Sequence, residues 1–357
     1  MEDNTKQVVK NAISNLENKQ FKIYFFTMDT KGNPIASLAN IYDHAKILRD
    51  LGYDAQILHE KNDYVSVANT LGEVYAEIPH VSIEAQQLKV NPQDFIIIPE
   101  VFSNVMEQTL NLPSKRIVFS QSYDYIFEML MPGKSWSDYG ITEVITTSEK
   151  QKEYLENLFS KKIKAEVVPV SIPKYFKPSD KPKKPIIAIS TRDQRDLVKL
   201  YKAFYLKYPH LKWVSFRDMR GLPRETFAKS LSESCLAIWI DKDSSFGTFP
   251  LEAMKCNVPV LGLVPNMVPE WMSDKNGLWT HDPLMIVDLI ANYFQAWLED
   301  GEPSELYEEM SKQKDTYSYE EQKSKIKEVY EKFFTNRINE LKSSLPLEVE
   351  NNVETEK

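Results

Sequence analysis

The sequence predicts an α/β protein built from two doubly wound, Rossmann-like domains, and three observations predict it. Short apolar runs of strand character alternate with helical segments from about residue 21 onward, the pattern of parallel sheets covered by helices on both faces. A stretch rich in lysine and proline, residues 177–185, interrupts the alternation, which then restarts, as at a linker between domains. The segment Leu236–Gly262 reads as a strand, a small-residue loop, a helix and a second strand, the repeating unit of such folds.

In chain order, an N-terminal helix precedes the strand Phe21–Thr27, which runs into a polar loop, Met28–Pro34. A helix follows, with Leu38, Ile41, Ala45, Leu48 and Leu51 at helical spacing and Gly52 as its stop. Strands are predicted at 54–58, 94–99, 116–120, 143–147 and 166–169, short and apolar as in buried parallel sheets. Beyond the linker come a strand at 186–190, a helix over 197–208, a strand at 212–216 and a helix over 224–233. Residues from about 303 to 345 are charged and helical, and the final stretch is polar, acidic and frayed. The expected division is 1–175, 176–310, C-terminal helices over 311–342 and a flexible acidic tail over 343–357.

Bulk properties exclude several functions. The chain has 357 residues and a net charge of −8, long enough for two cores and too acidic for a broad nucleic-acid footprint. Two cysteines, Cys235 and Cys256, lie in or beside apolar segments, so reduced buried thiols are expected rather than a disulfide framework or a zinc site. The polar N-terminus and the lack of any apolar run of membrane-spanning length point to a cytoplasmic protein. Val8, Val9, Ala12, Ile13 and Leu16 give the first helix an apolar side, which suits packing on the protein or at most a weak peripheral membrane contact. The oligomeric state is left open.

The chemistry sits in Leu236–Gly262. Its loop, from Asp241 to Gly247, opens onto a helix N-terminus, where unbonded N–H groups and the helix dipole hold anions. Glu252, one turn into that helix, reaches a neighbouring hydroxyl. Amides for phosphate and a carboxylate for ribose suit a nucleotide diphosphate.

Phe246, Gly247, Leu251, Glu252, Ala253, Met254, Cys256, Pro259 and Val260 fall in register on the pattern E-G-F-G-x-P-x-L-E-A-M-A-C-G-x-P-V. Val168–Pro178 looks like an I-P-N-G-V-D-x-x-F-x-P junction, Ile145–Glu149 like a V-x-x-S-E strand end, and Pro269-Glu270 with Asn276-Gly277 like a P-E…x-G pair. Over roughly residues 21–335 the chain thus resembles the GT-B glycosyltransferases, specifically glycosyltransferase family 4. The resemblance implies two domains facing a cleft and a C-terminal helix returning to the first. It implies transfer of a sugar from a nucleotide-diphosphate sugar to a hydroxyl acceptor with retention of configuration, with no metal and no other cofactor. Donor contacts implied are Gly32, Asn33, Ser244, Ser245, Phe246, Gly247, Thr248, Glu252 on the ribose, and Glu270. Arg192 and Arg195, after the first strand of the second domain, fall on the basic pair that holds the diphosphate, and a guanidinium fork suits a leaving diphosphate.

Departures from the pattern mark where this chain differs. The first Glu of the motif's Glu pair falls on Ser244, with Asp243 beside it as a replacement, and the next Gly is Ser245. The first-domain histidine of the family has no counterpart; Gln121 is nearest, and a Gly-Gly loop is reduced to Gly32-Asn33. Glu100, Gln121 and Asp124, at the ends of first-domain strands, are the acceptor candidates. Tyr123, Tyr125 and Phe127 read as core, and the five histidines have no ligand-like spacing. Asp241-Lys-Asp243 also matches the Asp-x-Asp by which GT-A enzymes hold a divalent ion, but its setting favours a loop. Rival functions are a sugar-nucleotide epimerase, a non-catalytic sugar-nucleotide or protein-binding module, and a DNA-base glycosyltransferase of viral type.

Overall fold

The computed structural model describes residues 2–85, 88–299, 301, 304–313 and 316–345. Seven strands form the first sheet: β1 (Lys22–Phe26), β2 (Asp54–His59), β3 (His80–Ser82), β4 (Phe95–Pro99), β5 (Lys115–Ser120), β6 (Glu143–Thr146) and β7 (Lys164–Val167). They pair in the order β3-β2-β1-β4-β5-β6-β7, all parallel. The second sheet comprises β8 (Lys184–Ile189), β9 (Ser215–Asp218), β10 (Ser234–Trp239), β11 (Val260–Leu263) and β12 (Leu278–Thr280), in the parallel order β12-β11-β10-β8-β9. Strand order reverses between β1 and β4 in one sheet and between β8 and β10 in the other. Those are the switch points outside whose carboxyl ends ligands bind in doubly wound sheets.

Each sheet is buried on both faces, which explains why its strands read as continuous apolar runs rather than as alternating ones. Ile23, Phe25, Ile97, Ile117 and Phe119 face one first-domain core, while Tyr24, Phe26, Ile96, Ile98 and Val118 face the other. The helix Tyr319–Ser343 packs Ile326, Val329, Tyr330, Phe333 and Phe334 into the first of these cores, beside Ala12, Ile13 and Leu16 of the helix Glu2–Glu17. The apolar side of that N-terminal helix is therefore covered by protein, although Val8 stays 46% exposed. Among the described residues no helix is long and apolar enough to cross a membrane. Cys235 and Cys256 are buried and form no disulfide among the described residues.

Three expectations shift. The strand expected at 212–216 lies at Ser215–Asp218, because Pro209 starts a single 3-10 turn over Pro209–Leu211 and Trp213 stays on the surface. β3 and β12, three residues each at sheet edges, carry too little pattern to read from sequence. Tyr123, Tyr125 and Phe127 are not core: a short helix over Tyr125–Met129 turns Phe127 outward, 60% exposed, and Tyr125 toward the cleft. The expected tail lies, from residue 346 onward, outside the described residues.

Candidate active site

Between the domains a cleft of about 830 Å³ is lined from both switch points. Asn33 and Ser37 follow β1, Glu100 follows β4, and Gln121 and Ser122 follow β5; across from them stand Thr191 and Arg192 after β8, Asp241 after β10, and Arg220 after β9. The loop Ser244–Gly247 and the first turns of the helix Thr248–Lys255 complete the second-domain wall.

Gly247 is the residue before that helix, at φ 74°, and a Cβ there would stand 2.8 Å from the Trp239 ring and 3.0 Å from Trp271. Left-handed backbone and two indoles against the chain leave room only for glycine. The Trp271 indole N–H donates to the Phe246 carbonyl at 2.6 Å, which fixes the loop from behind. Pro250 falls in the first helical turn, where its missing N–H breaks no helical bond. The remaining first-turn amides face the cleft as an anion site.

Glu252 lies on this helix, 3% exposed, and its Oε1 accepts from Arg224 Nη2 at 2.6 Å. Arg224, in the first turn of the helix Arg224–Ser232, sits over the rings of Phe176 and Phe227 at 4.9 and 5.5 Å. Arg192 is held on three sides. Its Nε donates to Asp241 at 2.8 Å, its Nη1 to Asp124 of the other domain at 3.0 Å, and its Nη2 to the Asp243 carbonyl at 3.3 Å, with Tyr125 beneath. Ser245 Oγ accepts from the Tyr123 amide at 2.9 Å, another contact between the domains.

The structure thus gathers Arg192, Asn33, Ser244, Ser245, Phe246, Gly247, Thr248, Glu252, Glu100 and Gln121 around one cleft. Five sequence candidates fall elsewhere. Arg195 folds back onto Asp193 two residues earlier, Nε to Oδ2 at 2.7 Å, with its side chain 82% exposed, so the helix-capping acid captures the second cation. The Asp243 carboxylate accepts from Asn266 at 3.0 Å, outside the cleft lining. Glu270 accepts from the Lys150 amide at 2.8 Å and joins the domains instead of reaching the donor space. Gly32 lies in the β1 loop behind Asn33, and Asp124 stands at the rim on Arg192. Arg220 and Arg224 are the cations that line the cleft in place of Arg195, and sequence reasoning missed both. Arg220 carries a readable signal, since it precedes Gly221 directly after a strand.

Glu100 is the strongest electrostatic feature of the first-domain wall. It is 3% exposed, and its Oε1 accepts from the amides of Gln121 and Ser122 at 2.9 and 2.7 Å. Burial pushes its pKa up to about 7, the two amide bonds offsetting only part of that, with nearby Asp124 adding to the rise. The folded protein therefore binds a proton that the unfolded chain, at about 4.5, releases. This group's contribution to stability is greatest at acid pH, declines as the pH climbs through about 4.5 to 7, and is level above that. Glu100→Gln keeps an acceptor for both amides and removes the titration. Its melting temperature is expected to gain on wild type between pH 5 and pH 7 and to run level with it above that; curves parallel from pH 5 upward would refute the assignment.

One curated relative, an α-1,6-glucosyltransferase of Actinobacillus pleuropneumoniae serotype 7 (strain AP76), is 30% identical over 228 residues, covering 62% of this chain and 66% of that protein. Over those residues this chain is a homologue of that glucosyltransferase. It spans just under two thirds of the length of that relative. Its fold is that of GT-B structures too distant in sequence to carry more than fold. The pneumococcal O-GlcNAc transferase GtfA, in complex with UDP and GlcNAc, superposes at TM-score 0.64 with 9% identity, over 89% of this chain and 99% of that one. TarM gives 0.62 at 12%, over 89% and 98%, and sucrose-phosphate synthase from Thermosynechococcus elongatus 0.61 at 14%, over 88% and 99%. No protein-family model matches the chain. In the cleft of this GT-B fold, the second domain supplies cations, helix-terminal amides and the carboxylates of Asp218, Asp241 and Glu252, and the first supplies Glu100 and the carboxamides of Asn33 and Gln121.

Proposed function

We propose that this chain transfers a glycosyl group from a UDP-sugar to a hydroxyl acceptor, with retention of configuration and without a metal ion. The observation that carries the reading is Arg192 beside the Gly247 helix terminus at the second-domain switch point, facing Glu100 and Gln121 across the cleft. The diphosphate sits on Arg192 and the helix amides, and Glu252 accepts from the ribose. The bond from the anomeric carbon to the phosphate oxygen breaks with its electron pair passing to the diphosphate, whose growing charge Arg192 stabilises. The acceptor oxygen bonds to that carbon on the same face, and its proton passes to the departing phosphate oxygen. Glu100 and Gln121 receive the acceptor, and Ser244, where the family has a carboxylate, borders the sugar.

Charge stabilisation by a metal is not needed in this reading, because the Asp241 carboxylate already engages Arg192 and the Asp243 amide, and Asp243 engages Asn266. The name of the glucosyltransferase relative makes UDP-glucose the first donor to test. A nucleotide-sugar donor makes the cytoplasm the expected compartment.

The test pairs thermal shift with turnover. UDP and UDP-glucose at a hundredfold excess over Kd are expected to stabilise by about 3 kcal/mol, raising the melting temperature by several degrees. UDP release with a hydroxyl acceptor is expected to persist in EDTA. A shift without release from any donor would leave a binding module, an epimerised sugar an epimerase, and rescue by Mn²⁺ after chelation would overturn the metal-free mechanism.

A further inference from the structure

A chain of buried side-chain amides runs from the C-terminal helix to the cleft. Ser171 Oγ donates to Gln322 Oε1 at 2.6 Å, Gln322 Nε2 to Asn40 Oδ1 at 3.0 Å, Asn40 Nδ2 to Gln121 Oε1 at 3.0 Å, and Gln121 Nε2 to the Ser37 carbonyl at 3.1 Å. Gln322 and Asn40 are each 1% exposed and Ser171 is 6% exposed, so water does not compete for the bonds among these three. A carboxamide can face either way unless its partners decide. Here the last partner decides, because the Ser37 carbonyl only accepts. Gln121 must therefore turn its nitrogen to Ser37 and its oxygen to Asn40, and each amide upstream is oriented in turn. Gln121 and Ser37 both line the cleft, so the second Nε2 hydrogen of Gln121 is left for a substrate oxygen.

We infer that Gln322 is a positioning residue which, through Asn40, holds Gln121 as an obligate hydrogen-bond donor to a sugar hydroxyl in the cleft. The inference rests on the proposed transferase reading for its substrate but not for its geometry. A ligand lacking that hydroxyl leaves the donor unpaired, and so the relay sets specificity. Helix Tyr319–Ser343 thus does more than cover the first sheet: through Asn40 it backs the polarity that the Ser37 carbonyl sets on Gln121.

The decisive variant is Gln322→Glu, nearly isosteric. The introduced carboxylate accepts from Ser171 but has no hydrogen for Asn40, which must turn its nitrogen toward it and its oxygen toward Gln121. Gln121 then turns over and puts its oxygen against the Ser37 carbonyl, which breaks the relay. Gln121→Ala is expected to lower kcat/KM about tenfold, the weight of one hydrogen bond, with UDP affinity unchanged. Gln322→Glu should lower it by a similar factor, and the double variant by no more than Gln121→Ala alone. Gln322→Met, which cannot orient Asn40 either way, is the second probe should the carboxylate unfold the chain. Selective ¹⁵N labelling of glutamine reads the geometry without activity: one Gln121 amide proton should exchange slowly in wild type and rapidly in the Gln322 variants. Fast exchange in wild type, or additive losses in the double variant, would overturn the relay. Slow exchange in a wild type that turns over no nucleotide sugar would overturn the transferase reading and leave the relay standing.

Discussion

Glu252→Gln is expected to weaken UDP binding about tenfold or more while leaving the fold intact, measured by calorimetric titration beside thermal denaturation. Binding falls because an ionised acceptor holds a ribose hydroxyl roughly twice as strongly as a neutral amide does. The choice of variant matters. Glu252→Ala strands the Arg224 guanidinium, whose side chain is 15% exposed and walled by Phe176 and Phe227, without its carboxylate. Removing one partner of a buried pair typically costs about 3–5 kcal/mol. Loss of UDP binding by the alanine variant therefore mixes unfolding with recognition, whereas the glutamine still accepts from Arg224. UDP affinity unchanged in Glu252→Gln would remove Glu252 from the ribose site.

The strand–loop–helix–strand unit at Leu236–Gly262 was readable because strand, glycine cap and helix each leave a local mark within a few residues. The cause of its glycine was not readable: Trp239 and Trp271 press on Gly247 from β10 and from a loop 24 residues farther along. The same limit explains the basic pair. Arg192 and Arg195 looked equivalent after a buried strand, yet Asp193 is close enough to take Arg195 for itself, while Arg192 finds Asp241 and Asp124 from distant segments. Arg224 and Gln322 carry no signal near themselves. Their roles arise from partners on other elements, Glu252 and Asn40, and pairing at that separation leaves no periodicity to read.

Arg192→Ala should lower kcat by about 10²–10³, the range for deleting one preorganised donor at a developing charge, with a much smaller rise in KM. Stability should move by about 1 kcal/mol at most, since the Arg192 side chain is 40% exposed and ion pairs with such a partner contribute little. That weakness has a functional side. A guanidinium shared between Asp241 of its own domain and Asp124 of the other can exchange the Asp124 bond for a diphosphate oxygen at little cost, keeping Asp241 to aim it. Asp124→Asn should therefore leave diphosphate binding nearly as tight, whereas Asp241→Asn, which releases the aiming contact, should lower kcat. Arg192→Lys is not expected to rescue, because an ammonium presents a point charge where a planar fork spans two acceptors. A rise in KM alone for Arg192→Ala would mean that Arg192 binds ground and transition states equally, and would transfer the charge stabilisation to the first-turn amides of the helix Thr248–Lys255.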